Sequence, residues 1–162
     1  MVGETLQACS PTENAIFVAR IPNSIMLNSE EILSFINHNP VCHLATCEEG
    51  QPHVRGLLMY RADKSGLIFH TGDFKSLFRQ LRQNPRVEVC FNSGEIQVRI
   101  KGHAEFTENQ TLKEEIAEAR PFMQPWIEQK GWDMLKVFKV TNCEYAIWTM
   151  DTNHEPTRFR PL

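Results

Sequence analysis

The chain has 162 residues, enough for one domain with a substantial apolar core and no need of disulfide staples. A formal net charge of -3 leaves no excess of Lys and Arg to neutralise phosphates, which argues against a nucleic-acid binder. No run of about eighteen apolar residues could span a membrane, and the start lacks the basic and apolar parts of a signal peptide, so a cytoplasmic protein is expected.

Residues 1–27 read as an arm of unassigned role, with an apolar run at 15–21 and Pro22 behind it, lying against the domain or a partner subunit. The domain proper is expected over 28–162. Asn28 or Ser29 caps a helix over 30–37, with Glu30 and Glu31 in its favourable first turn. Strands follow at 41–46, 53–61, 67–71, 86–91 and 95–106, with turns at Gly50 and at 63–66. Such close spacing predicts a small antiparallel barrel. A helix over 108–120 ends at Pro121, and a second helical piece at 125–129 carries Trp126. Two strands, 135–140 and 144–150, precede a polar, extended tail over 151–162.

The five cysteines, Cys9, Cys42, Cys47, Cys90 and Cys143, form no CxxC pair. Cys42, Cys90 and Cys143 sit in apolar strand patterns, where a cysteine serves as a small hydrophobe. Cys42, His43 and Cys47 lack a fourth partner at zinc-site spacing, so no metal is expected.

The most telling segment is 67–85, LIFHTGDFKSLFRQLRQNP. An apolar strand gives way at His70, Thr71, Gly72 and Asp73 to a helix with Phe74, Leu77, Phe78 and Leu81 on one face. Pro85 stops it. A strand entering a helix through Thr-Gly, with Lys75 in the first turn, is a place to hold an anion, because free amides and the helix dipole point at the junction. An ordinary turn with a solvated lysine is the alternative reading of the same residues.

Together with residues 40–72, PVCHLATCEEGQPHVRGLLMYRADKSGLIFHTG, and 84–106, NPRVEVCFNSGEIQVRIKGHAEF, this segment resembles the pyridoxamine 5'-phosphate oxidase-like, FMN-binding split-barrel family. The likeness runs over residues 30–153 and is nearest to the nitroimidazole-reductase-like branch. It implies a mainly β fold with peripheral helices, a split barrel of six to seven antiparallel strands. It also implies a homodimer with FMN at the subunit interface and a small-molecule substrate.

The resemblance also assigns roles. Arg55, mid-strand between Val54 and Gly56, matches the arginine that contacts the flavin phosphate or ribityl chain, and Gly56 would let a planar ligand approach. The alternative is an exposed arginine on an alternating strand. Phe69, His70 and Thr71 match the strand end that lines the flavin pocket. His70 is the candidate catalytic group, able to orient a substrate or donate a proton because imidazole changes charge near neutral pH. Lys75 and Ser76 stand for the phosphate ligands, although the oxidases carry an Arg-Lys pair where this chain has Ser76 and Leu77. Gln97 and Trp148 match residues that approach the flavin, Trp148 from across the dimer.

Tyr60 stands where the oxidases have a lysine for the substrate phosphate, and their C-terminal arginine- and histidine-bearing motif is absent. Oxidation of pyridoxine phosphate is therefore not expected. The leading expectation is an FMN-dependent reductase of a small aromatic or quinone-like substrate. The alternative is a non-catalytic flavin- or haem-binding protein for storage, sensing or stress, with His70, His103 or His154 as axial ligand. No Gly-rich nicotinamide site is present.

Overall fold

A computed structural model describes residues 27–162, so the expected strand or arm at 15–21 lies outside the described residues. Helix α1 (Ser29–His38) opens on a capping box, in which Asn28 accepts from the amides of Glu30 and Glu31 and the Glu31 carboxylate returns to the Asn28 amide. β1 (Val41–Glu48) and β2 (Gln51–Leu58) form a hairpin whose two turn residues, Glu49 and Gly50, both take positive φ, 51° and 83°. That pair is what a two-residue hairpin turn matching the strand twist requires.

The remaining elements are β3 (Arg61–Asp63), β4 (Gly66–Gly72), α2 (Ser76–Gln83), β5 (Arg86–Ser93), β6 (Ile96–Thr107), α3 (Gln110–Ala119), α4 (Gln124–Lys130), β7 (Leu135–Trp148) and β8 (Arg160–Pro161). The sheet runs β2-β1-β5-β6-β7-β4-β3, antiparallel throughout, with β8 added to β7. Consecutive strands β2 and β3 thus sit at opposite ends of the order. The sheet curls to bring them together yet stays open, a split barrel. Met59 bonds its amide to Pro40 at one edge and Tyr60 to Ile68 at the other, so the seam lies between these two residues.

Leu44, Phe69, Phe91, Val98, Ile100 and Phe138 fill the interior with no exposed surface. A second apolar layer, Ile116, Ala117, Met123 and Ile127 of the α3–α4 region, covers Ile68, Leu135 and Val137 on the outside of β4 and β7. β4 is therefore apolar on both faces, which explains its unbroken Leu-Ile-Phe run.

Three expectations need correction. The strand expected at 53–61 breaks at the seam into β2 and β3. The two strands expected at 135–140 and 144–150 are one strand, β7, because Asn142, at positive φ, and Cys143 form a bulge opposite the single residue Gly102 of β6 and the pairing resumes beyond it. The sheet path has the seven antiparallel strands at the upper end of the expected six to seven, and the two-residue β8 is an addition to it. The tail is not simply extended: it turns at 151–154 and returns as β8, with Leu162 packed on the core. Cys42 is fully buried with its thiol pushed up to about 12 by desolvation, while Cys90 and Cys143 are only half-buried.

Candidate functional site

The open seam creates a cavity of about 410 Å³. Gly56, Leu57 and Leu58 of β2 form one wall, His70, Thr71 and Gly72 of β4 the facing wall, and Lys75 stands at the start of α2. The apolar alternation of β2 turns Val54, Gly56 and Leu58 outward and Arg55 inward. A β-carbon built on Gly56 would meet nothing within 4 Å, so this glycine leaves open space at the cavity rather than relieving a packing clash.

Lys75 is the N-cap of α2, not a residue of its first turn, and no side chain accepts from the helix's leading amides. The first turn carries no acidic residue either. A lysine at the positive end of an uncapped helix is electrostatically unfavourable unless an anion joins it. Thr71 lines the same cavity, and its buried hydroxyl has no hydrogen-bond partner among the described residues. No Asp or Glu lines the cavity among the described residues. These features fit a phosphate-bearing ligand: a cation, a free hydroxyl, unpaired amides and a glycine that clears a path.

Phe74 precedes α2 instead of joining its buried face. Its ring folds over Gly72, where a β-carbon would lie 2.5 Å from Phe74 Cε1, and its exposed side lines the cavity beneath the Lys130 ammonium at 4.8 Å. A side chain at position 72 would push the exposed Phe74 ring off this place.

His70 is half-buried in the cavity wall. Desolvation first, then the charges of Arg120 and Lys75, lower its pKa to about 4. The ring is therefore neutral at pH 7, a hydrogen-bonding group rather than one poised to change charge near neutrality. The shift carries a stability consequence. The unfolded chain protonates near 6.5 and the folded one only near 4, so stability contributed by neutral His70 is complete above pH 6.5 and is lost as pH falls through 4. The loss reaches about 3 kcal/mol. Denaturant titrations from pH 7 to pH 4 should show His70→Gln flattening this part of the profile. An unchanged profile would mean the ring protonates normally.

The other expected site residues do not line this cavity. Arg55 points beneath α2, donating to the Gln80 side-chain carbonyl at 2.6 Å, Thr46 Oγ1 at 2.8 Å and the Leu44 carbonyl at 3.3 Å. It is half-buried rather than exposed, and among the described residues its guanidinium meets neutral acceptors and no carboxylate. Phe69 is wholly buried and stacks on Phe138 at 5.4 Å. Ser76 is exposed at the first helical position, and Val54 is exposed on the outer face of β2. Gln97 and Trp148 are direct neighbours across β6 and β7, engaged with Asn92 and Asn153. They sit at the end of β7 remote from Leu135, which does line the cavity. His103 and His154 are exposed and lie outside it.

Sequence reasoning missed the third wall: Arg120, Phe122, Met123 and Trp126. Arg120 was expected as the last helical residue. Pro121 instead throws it out of helical geometry (φ -135°, ψ 71°), and its guanidinium reaches the seam carbonyls of Leu58 at 3.3 Å and Met59 at 3.1 Å. A charged residue directly before a helix-ending proline was the available signal. Among the described residues, no three His, Cys, Asp or Glu side chains gather as a metal site would need. No described helix is long and apolar enough to cross a membrane.

The family described as pyridoxamine 5'-phosphate oxidase matches residues 29–147. General stress protein 26 of Bacillus subtilis (strain 168) is 24% identical over 118 residues, 68% of this chain and 81% of that protein. A NimC/NimA family protein from Clostridium acetobutylicum superposes with a TM-score of 0.67 at 24% identity, over 82% of this chain and 92% of that one. HutZ, the heme storage protein from Vibrio cholerae, superposes with a TM-score of 0.58 at 16% identity, over 75% of this chain and 93% of that one.

Proposed function

The chain belongs to the pyridoxamine 5'-phosphate oxidase-like family, and on that premise we propose that it is a homodimeric, cytoplasmic flavoprotein that binds FMN and reduces a small aromatic or quinone-like substrate. One observation carries the reading: the uncapped start of α2, with Lys75 and the unpartnered Thr71 hydroxyl, opens on a cavity without carboxylates. Lys75, Thr71 and the leading amides of α2 would hold the phosphate. Gly56 leaves room for a planar ring, and His70, neutral, would offer a hydrogen bond to the ring or the substrate. FMN, when bound, supplies the electron transfer, while the protein supplies binding, orientation and shielding from water. Arg55 acts as a positioning residue beneath α2.

The dimer has its own support. Edge strand β2 exposes Val54 (66%) and Leu58 (44%) beside Val41 (68%) of β1, an apolar strip on a sheet edge. In a symmetric pair, Gln97 and Trp148 would then face the cofactor of the opposite subunit. Light scattering during size exclusion should give a dimer for the parent chain and a monomer for Val54→Glu. A parent chain that is monomeric at micromolar concentration would remove the interface.

Catalysis is tested by reducing the FMN-loaded protein with NADH or NADPH without oxygen, then adding a nitroaromatic or a quinone. Reoxidation faster than that of free reduced FMN supports a reductase. Bound flavin that is not reoxidised makes the protein a carrier. A haem-binding reading draws on neutral His70 as an axial imidazole, and a Soret band in place of flavin absorbance would favour it.

A further inference from the structure

The phosphate reading leaves one cation in the cavity without a counterpart. Arg120 is only 9% exposed and pairs with no Asp or Glu among the described residues. Its single recorded donor atom, Nη2, is shared between the carbonyls of Leu58 and Met59, while a guanidinium has five N–H donors in all. Burying an arginine against neutral groups alone is costly, and a ligand that brings a negative charge relieves the cost. Lys75 cannot do double duty if it holds the phosphate.

The neighbours of Arg120 indicate what else the ligand carries. Pro121 leads into Phe122 and Trp126, whose rings meet edge-to-face at 6.2 Å and remain largely exposed at the cavity. An exposed aromatic pair beside a buried, carboxylate-free arginine offers a flat apolar surface next to a planar fork of donors. We propose that Arg120 recognises the carboxylate of a planar aromatic acid whose ring lies against Phe122 and Trp126. The inference rests on the FMN reading only in assigning Lys75 to the phosphate.

Two probes of nearly the same shape separate charge from fit: 4-nitrobenzoate and 4-nitrobenzamide. Calorimetric titration with FMN-loaded and FMN-free protein should show the acid binding at least about tenfold more tightly than the amide, the scale of a hydrogen bond to a charged group. Arg120→Gln should erase that preference while leaving amide binding unchanged, and Arg120→Lys should restore part of it. Lys75→Ala should keep the preference in FMN-free protein. The inference is overturned if the parent binds neither probe or both alike, if Arg120→Gln weakens both equally, or if Lys75→Ala alone abolishes the preference. Thermal melts check that loss of the bonds to Leu58 and Met59 has not unfolded the seam, and Arg120→Lys carries the test if Arg120→Gln fails to fold. Flavin fluorescence distinguishes the two readings. A chain that ignores FMN yet prefers the acid retains this site and loses the cofactor, and a chain that binds FMN without preference does the reverse.

Discussion

Lys75→Ala should raise the dissociation constant for FMN about ten- to a hundredfold, corresponding to the roughly 1.5–3 kcal/mol of a hydrogen bond to a charged group. Stability should hold, because Lys75, although at the N-cap position, is exposed and makes no side-chain cap bond, and among the described residues it forms no ion pair. Removing a cation from the positive end of a helix should even favour the unliganded fold slightly. Flavin fluorescence quenching measures the first effect and a thermal melt the second. Riboflavin, which lacks the phosphate, should bind parent and variant alike. If Lys75→Ala binds FMN as well as the parent, the phosphate does not sit at the start of α2.

Arg55→Ala should act mainly on the fold. Its two side-chain bonds, to Gln80 and Thr46, tie β2 and β1 to the buried side of α2, where Gln80 is 2% and Thr46 3% exposed. Burial already lowers the Arg55 pKa, a sign that the charge is held away from water. Truncation leaves the Gln80 side-chain carbonyl with only the Thr46 hydroxyl at 2.8 Å, while the Gln80 amide still donates to Glu48 at 3.3 Å. A loss of about 2–3 kcal/mol is expected from charged hydrogen bonds of this kind, which lowers the melting temperature by roughly 5–10 °C at this chain length. FMN affinity of the folded variant should fall less than in Lys75→Ala. An unchanged melting temperature with lost FMN binding would return Arg55 to direct contact with the cofactor.

Local chemistry made much of this fold legible. The hairpin at Gly50, the cap at Asn28 and the stop at Pro85 each act through neighbouring residues, and each is visible in a short stretch of sequence. What escaped was non-local. A continuous apolar run, Leu57-Leu58-Met59-Tyr60, passes through the seam, so nothing there announces that the chain leaves β1 for β4. Asn142 takes the left-handed conformation that a turn would use, but it does so within a bulge of β7 against β6, and the strand continues in one piece. Phe74 has the spacing of a helix-face residue, and only the close approach to Gly72 shows that it lies outside the helix.

The candidate site divides along the same line. Gly56, His70, Thr71 and Lys75, read from the sequence, come together at the seam. Arg120, Phe122 and Trp126 reach it from the far side of α3, a meeting that depends on how the second apolar layer docks on β4 and β7. No spacing along the chain encodes that. The sequence offers Arg55 only as a flavin contact or an exposed side chain, because its partners, Thr46 and Gln80, lie on other elements and become neighbours only when α2 packs on β1.

The central claim is that the seam is an FMN site. The most direct measurement is the absorbance spectrum of the purified protein after incubation with FMN or, separately, with hemin, followed by gel filtration. The account predicts that the protein peak retains flavin absorbance at one FMN per chain and takes up hemin only weakly. A peak that emerges without flavin, or one that carries a sharp Soret band while releasing FMN, would contradict it.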